Sequence, residues 1–193
     1  MTTSTPAPTP AETVPQLLPG DVVLTSGGSL LGRAIRWAER VRGEAPARVN
    51  HAAVVVRPPD VIIEAAAVVR EVSLWTQHTG DGILVYRNDA LTPDQVAIIQ
   101  RVSASWIGRT YPVKQLFAYL IDNKVFGGRM VTRWLLTPQA SGVCSRLVSV
   151  AFASVGLDFG VSEPDPDDID DYCWAHTSSA GTWRLIYVRE RAA

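Results

Sequence analysis

The sequence has few of the residues that would cross-link a small fold or form a recognisable metal-binding motif. It has two cysteines, Cys144 and Cys173, and three histidines among 193 residues. Two cysteines are too few for a disulfide scaffold, although a single bridge between them would block any thiol chemistry. The chain also lacks a Cys/His spacing typical of zinc, a phosphate-binding glycine loop and a Gly-x-Ser-x-Gly motif. We therefore expect neither a metal nor a cofactor.

A strong charge imbalance and a long apolar segment are also missing. Eighteen basic and nineteen acidic residues give a net charge of −1, which argues against a general attraction to nucleic acid. No apolar run is long enough to cross a bilayer, so peripheral contact is the form of membrane association that stays open. The first residues contain no basic stretch followed by an apolar one, which predicts a cytoplasmic protein without a signal peptide. The oligomeric state stays open.

The composition is that of a globular protein with a disordered beginning. Hydrophobic residues make up 47% of the chain, and 193 residues suffice for one domain with a substantial core. Residues 1–17 are rich in Thr, Pro and Ala, which is typical of an extended tail. The sequence therefore predicts a tail over 1–17 and a single domain over 18–193.

The apolar patterns predict an α+β fold with an antiparallel sheet of about five to six strands. Helices are predicted over 29–43 and 92–108, in two pieces within the apolar segment 113–136, and after Cys144. The helix at 92–108 has the strongest start signal, with Thr92 as N-cap, Pro93 and Gln95. The predicted strands are 22–25, 51–56, 61–66, 68–72, 82–87 and 183–188.

The runs 51–56 and 61–66 predict a β-hairpin that brings a histidine close to a carboxylate. If Val56 pairs with Val61, Ala53 lies opposite Glu64. His51 and Ala53 share one face of their strand, so His51 and Glu64 become diagonal neighbours on that face. A strand-end histidine and an edge-strand charge are the structural alternatives, although a glutamate within an apolar strand requires a polar partner.

Cys144 is predicted near the first turn of an amphipathic helix. The apolar residues Leu147, Val148, Ala151 and Val155 follow it at helical spacing, so the sulfur lies on the inward face. The positive end of the helix dipole favours a thiolate there. The alternative is a buried core cysteine, because an isolated cysteine on an apolar helix face is usually structural.

Three polar segments complete the set of candidates. His78 and His176 both lie in segments that we interpret as loops. The acidic segment 164–171 (PDPDDIDD) could bind a divalent cation, but it lacks the glycine and terminal glutamate of a calcium loop. We interpret it as a solvated, turn-rich loop.

Taken in order, several segments resemble the permuted NlpC/P60-like papain-fold proteins of the YiiX/YaeF-like group. The first part of the match holds the predicted hairpin and the last part holds the cysteine helix. The segment 164–171 resembles the Pro-Asp element that often follows. The matching segments are 19–24 (PGDVVL), 50–56 (NHAAVVV), 61–65 (VIIEA), 108–111 (GRTY) and 143–148 (VCSRLV).

The resemblance implies a circularly permuted papain-like fold and a Cys-His-Glu triad. Papain-type enzymes place the cysteine before the histidine, whereas here the histidine strand comes first. Cys144 would be the nucleophile, His51 the general base and Glu64 the residue that orients His51. The implied activity is thiol hydrolysis of a peptide-like or lipid amide or ester through a thioester. A lipid-directed acyltransferase or thioesterase and a catalytically inactive module of a larger assembly stay open as alternatives.

Overall fold

The structure is a computed structural model that describes residues 14–27, 48–110, 143–162, 164–177 and 181–191. A six-stranded antiparallel sheet forms its centre, which confirms the predicted α+β fold. The spatial order of the strands is β4-β3-β2-β1-β5-β6. The strands are β1 (Val22–Ser26), β2 (His51–Arg57), β3 (Val61–Ala65), β4 (Val69–Ser73), β5 (Gly82–Asn88) and β6 (Trp183–Arg189).

Apolar residues cover both faces of this sheet. On the first face, Val54 packs in one buried cluster with Leu147 of helix α3 (Val143–Ala153). On the second face, Val55 packs with Leu74, the first residue of the short helix α1 (Leu74–Gln77). Successive residues of β2 point to opposite faces, so one strand supplies both clusters. Leu17, which the sequence analysis placed in the tail, is fully buried on the second face.

The β2–β3 hairpin has the predicted pairing of Ala53 with Glu64. The predicted partner of Val61 is wrong, because Arg57 rather than Val56 lies opposite it. The register shifts between Val55 and Arg57, which is a β-bulge that leaves Val56 outside the ladder. The carbonyl of Val56 instead accepts a hydrogen bond of 2.6 Å from the Gln100 side chain. The bulge lies beyond Glu64, so it does not alter the pairing at that residue.

Helix α2 (Pro93–Ala104) begins as its sequence predicts. The Thr92 hydroxyl accepts from the Gln95 backbone N–H, and the Gln95 side chain accepts from the Thr92 backbone N–H. This capping box satisfies donors that a helix start leaves without partners. The helix ends at Ala104, four residues before the predicted stop at Gly108. Gln95 also donates to the Val155 carbonyl, which joins α2 to the segment after α3.

The prediction of a loop over the acidic segment is wrong, because helix α4 (Pro166–Ala175) begins inside it. Asp165 is the N-cap, Pro166 is the first helical residue, and Asp168 completes a second capping box. Acidic side chains in the first turn also complement the helix dipole. Asp170 is buried and accepts a hydrogen bond of 2.5 Å from the Tyr86 hydroxyl. Asp165, Pro166 and Asp168 are typical of a helix start, but the many aspartates of the segment favoured its interpretation as a loop.

Several sequence predictions concern other parts of the chain. The predicted helix over 29–43, the apolar segment 113–136 and residues 1–13 of the tail lie outside the described residues. Within the described ranges, none of the helices has the length and apolar character needed to cross a membrane.

Candidate active site

The candidate site lies at the open end of the β2–β3 hairpin. His51 is the first residue of β2, and Glu64 is the next-to-last residue of β3, so antiparallel pairing brings these two strand ends together. Helix α3 approaches this end from the first face of the sheet and carries Cys144 in its first turn. The fold therefore brings together the three residues that the resemblance singled out.

His51 and Glu64 make a direct hydrogen bond. His51 Nε2 lies 2.9 Å from Glu64 Oε2, and the two side chains are 19% and 3% exposed. The diagonal contact predicted from the hairpin is present. A carboxylate at this nitrogen fixes the orientation of the ring, so Nδ1 is the nitrogen left to face other groups.

Cys144 is a half-buried free thiol that makes a side-chain hydrogen bond with His51. Backbone N–H groups of Ala52 and Ser145 also act on the sulfur and favour its charged form. Since His51 Nε2 is bonded to Glu64, the hydrogen bond to sulfur falls to Nδ1. Two successive hydrogen bonds thus connect the Cys144 thiol to the His51 imidazole and the imidazole to the Glu64 carboxylate.

The three groups shift one another's protonation. Burial opposes the thiolate, but the positive His51 ring and its hydrogen bond hold the pKa of Cys144 below the ordinary thiol value. Burial likewise opposes a charged imidazole, yet the Cys144 sulfur and the Glu64 carboxylate raise the pKa of His51 to about 10. The common cause is mutual stabilisation of a thiolate and an imidazolium. The contact with His51 therefore favours the charged form of the Cys144 sulfur.

Glu64 is held in its ionised form by more than His51. Burial acts against the carboxylate, but hydrogen bonds from His51, His78 and Arg70 lower the pKa of Glu64 well below its usual value. Arg70 donates from Nε and Nη2 to Glu64 Oε1 at 3.0 and 2.8 Å. His78 Nε2 lies 3.0 Å from Glu64 Oε2, the same oxygen that His51 contacts. Each carboxylate oxygen therefore has its own partners.

Sequence reasoning missed Arg70, His78 and Asp81. Arg70 pairs directly opposite Glu64 across β3 and β4, so the register of this second hairpin was the signal that would have found it. His78 was assigned to a loop, but it caps α1 and is buried. Its Nδ1 lies 2.8 Å from Asp81 Oδ2. No periodic pattern marks His78, because its position depends on how α1 packs against the second face of the sheet.

His51, Glu64 and His78 also form a group of potential metal ligands. Their three nearest donor atoms lie within 4.8 Å of one another. Two imidazole nitrogens and one carboxylate oxygen form a donor set that zinc accepts. The absence of a metal-binding motif in the sequence does not exclude such a group, because the residues come from separate elements.

The other candidates lie apart from this cluster. His176 is the exposed C-cap residue of α4, and its ring contacts the Tyr172 carbonyl at 2.7 Å. Cys173 lies inside α4 and is a buried free thiol, so the bridge to Cys144 that the sequence left open is not formed. Asp165 and Asp168 are engaged in the capping box, and Asp170 in the contact with Tyr86.

Comparisons with known proteins support the fold and leave the reaction open. No protein-family profile matches the chain, and no curated protein matches it. A solved structure with a similar fold is that of the metalloprotein YiiX from Escherichia coli O157:H7, of the group DUF1105. The match covers 90% of this chain and 89% of that one, with a TM-score of 0.52 and 15% sequence identity. YiiX has a permuted papain-like fold of the NlpC/P60 type, and the α+β architecture of this chain is similar to it.

Proposed function

We propose that the protein is a thiol hydrolase or a related acyl-transfer enzyme, with Cys144 as nucleophile, His51 as general base and Glu64 as the residue that orients His51. One observation carries this proposal. The Cys144 side chain shares a hydrogen bond with His51, whose other ring nitrogen lies 2.9 Å from Glu64. A nucleophile, a base and an orienting carboxylate in this order are the elements of papain-type catalysis.

The reaction follows from these contacts. The Cys144 thiolate attacks the carbonyl carbon of an amide or ester, and a C–S bond forms as the carbonyl oxygen becomes negative. Backbone N–H groups at the start of α3 stabilise that oxygen. The His51 imidazolium gives its proton to the departing amine or alcohol, which leaves a thioester. A water or another acceptor then attacks the thioester, His51 takes its proton, and the thiolate is restored.

The substrate class is a peptide-like or lipid amide or ester. Cys144 is half-buried rather than sealed in the core, which supports access by a substrate carbonyl. Hydrolases and acyltransferases of this fold use the same thioester, so both activities fit the site. The alternative of an inactive module predicts a disulfide at Cys144 or a His51 beyond reach. It lacks support, because both cysteines are free and Cys144 hydrogen-bonds His51.

A thiol-directed electrophile tests the proposal. Iodoacetamide in limiting amount at neutral pH should add one adduct to the wild-type protein, and peptide mass mapping should place it at Cys144. The Cys173→Ala variant is the matched control and should label at the same rate. The Cys144→Ala variant should remain unlabelled, because Cys173 is buried. Equal labelling of wild type and Cys144→Ala would contradict the proposal.

A second assay tests turnover rather than reactivity. Wild type should release a chromophore from a small activated thioester or ester with an initial burst close to the protein concentration, because an activated substrate acylates the thiol faster than water removes the acyl group. Cys144→Ala should show no burst. A protein that labels at Cys144 and accumulates no acyl adduct with any of a panel of amide, ester and thioester substrates would be an inactive module.

A further inference from the structure

Three donor atoms converge where α1 meets the β2–β3 hairpin. His51 Nε2 and His78 Nε2 lie 2.9 and 3.0 Å from Glu64 Oε2, and all three atoms lie within 4.8 Å of one another. We propose that this cluster is a binding site for one divalent transition-metal ion of the zinc type. Zinc is bound by imidazole nitrogen and carboxylate oxygen, whereas calcium and magnesium take oxygen ligands.

Each of the three proposed ligands is also hydrogen-bonded through its other nitrogen or oxygen atom. His78 Nδ1 lies 2.8 Å from Asp81 Oδ2, an arrangement in which a carboxylate orients a metal-binding imidazole. Arg70 holds the second oxygen of Glu64 with two hydrogen bonds. The second nitrogen of His51 is engaged by Cys144. Such outer contacts fix which atom of each side chain faces the ion, and here they leave three atoms facing one another.

The separations are close to those that a metal requires. Donor atoms around a tetrahedral zinc lie about 3.3 Å apart, as its bond lengths of roughly 2.0–2.1 Å imply. The two distances to Glu64 Oε2 are a few tenths of an ångström shorter than this. The two imidazole nitrogens are at most 4.8 Å apart, so they would approach by no more than about 1.5 Å. Rotation about side-chain bonds supplies movements of that size.

Binding of the ion would change the hydrogen that His51 carries. Metal binding takes the lone pair of each Nε2, so neither of these nitrogens carries a hydrogen in the bound form. His51 then keeps its hydrogen on Nδ1, where it can donate to sulfur but cannot accept a proton. The effect on activity rests on the proposed function: the metal-bound form would hold the base in a state that cannot serve Cys144. The binding itself does not depend on that function.

Histidine ring resonances test the site with all three proposed ligands in place. The experiment uses the full chain with Cys144→Ser, which removes the thiol as a competing zinc ligand, stripped of metal by a chelator. One equivalent of Zn²⁺ should shift the ring nitrogen resonances of His51 and His78. The third histidine, His176, contacts a backbone carbonyl elsewhere and should not shift. Absence of a shift at one equivalent, or equal shifts of all three rings, would overturn the proposal.

Affinity measurements give a second, independent test. In competition with a chromogenic chelator, His78→Gln should weaken Zn²⁺ binding at least about hundredfold and Asp81→Asn about tenfold. His176→Gln is the matched control and should bind as the parent does. Zinc affinity that is unchanged in His78→Gln would contradict the site. If His78→Gln does not fold by circular dichroism, the ring resonances and Asp81→Asn decide the matter.

The two proposals can fail separately. Zinc binding by the Cys144→Ser protein, together with a wild type that iodoacetamide does not label at Cys144, would refute the proposed function and support the metal site. Labelling of wild type without stoichiometric zinc binding would refute the metal site alone.

Discussion

The two cysteines lie in helices, yet their surroundings have opposite effects on the thiol. Cys144 is the second residue of α3, near its positive end, and contacts the cationic ring of His51. Cys173 is in the last turn of α4, near its negative end, and the charge that acts on its pKa is the Asp170 carboxylate. Burial and that carboxylate raise the pKa of Cys173, whereas His51 lowers the pKa of Cys144. The charged neighbour decides which thiol can act as a nucleophile.

The two regions also use their carboxylates differently. Glu64 is surrounded by donors that stabilise its charge, namely His51, His78 and Arg70. Asp170 accepts from the Tyr86 hydroxyl and lies 3.7 Å from Arg48 Nη1, yet burial raises its pKa. The first carboxylate therefore supports a cation beside a thiolate. The second serves as a polar contact that joins α4 to β5.

The largest expected effect comes from removing the positive ring beside Cys144. In a Cys173→Ala background, His51→Asn should lower the rate of iodoacetamide labelling at neutral pH about a hundredfold, because the thiolate loses its counter-charge and its pKa rises. His176→Asn is the matched control and should label as the parent does. A rate within twofold of the parent for His51→Asn would show that the two thiol environments do not differ in the proposed way.

A smaller effect on labelling, with a clear effect on stability, is expected from Glu64→Gln. The neutral amide no longer stabilises the His51 imidazolium, so labelling at neutral pH should slow about tenfold. Chemical denaturation should show a loss of about 3 kcal/mol in the free energy of unfolding, because Arg70 and His78 lose a charged partner. Glu71→Gln, at an exposed ion pair with Arg57, is the control and should change stability by less than about 1 kcal/mol.

Around Cys173, Tyr86→Phe should change stability and leave the other thiol unaffected. Removal of the hydroxyl deprives the buried Asp170 of its close donor, which should lower the free energy of unfolding by about 1–3 kcal/mol. The rate of Cys144 labelling should stay within twofold of wild type. A large loss of labelling in this variant would mean that the two regions are coupled rather than separate.

The smallest expected effect is a loss of folding stability at alkaline pH. The pKa values of Cys173 and Tyr86 lie above their ordinary values of 9.0 and 10.0, so above these the unfolded chain loses protons that the folded chain retains. Each group should then reduce the free energy of unfolding by up to about 1.4 kcal/mol per pH unit. Urea denaturation of Cys173→Ala should show a shallower decline between pH 9 and 10 than wild type. Parallel curves would show that Cys173 is not protonated preferentially in the fold.

Local patterns were sufficient where neighbouring residues decide the structure. The capping box at Thr92 and Gln95 and the pairing of Ala53 with Glu64 were both predicted, because each depends on residues close in sequence. The acidic helix was missed although its start signals are local, since the density of charge was given more weight than the Asp165–Pro166 cap. The pattern of apolar residues does not mark the bulge at Val56, and for this reason the predicted partner of Val61 was wrong.

The sequence by itself determined the antiparallel sheet, the approximate strands, and the placement of His51 and Glu64 on one face. Alternation along a hairpin and the spacing of apolar residues in a helix require no knowledge of the rest of the chain. The tertiary structure alone decided that Cys144 meets His51 and that His78 shares Glu64 with it. The first contact joins elements far apart in sequence, and both depend on how helices pack on the two faces of the sheet. Packing therefore gave two cysteines of the same chain opposite chemical character.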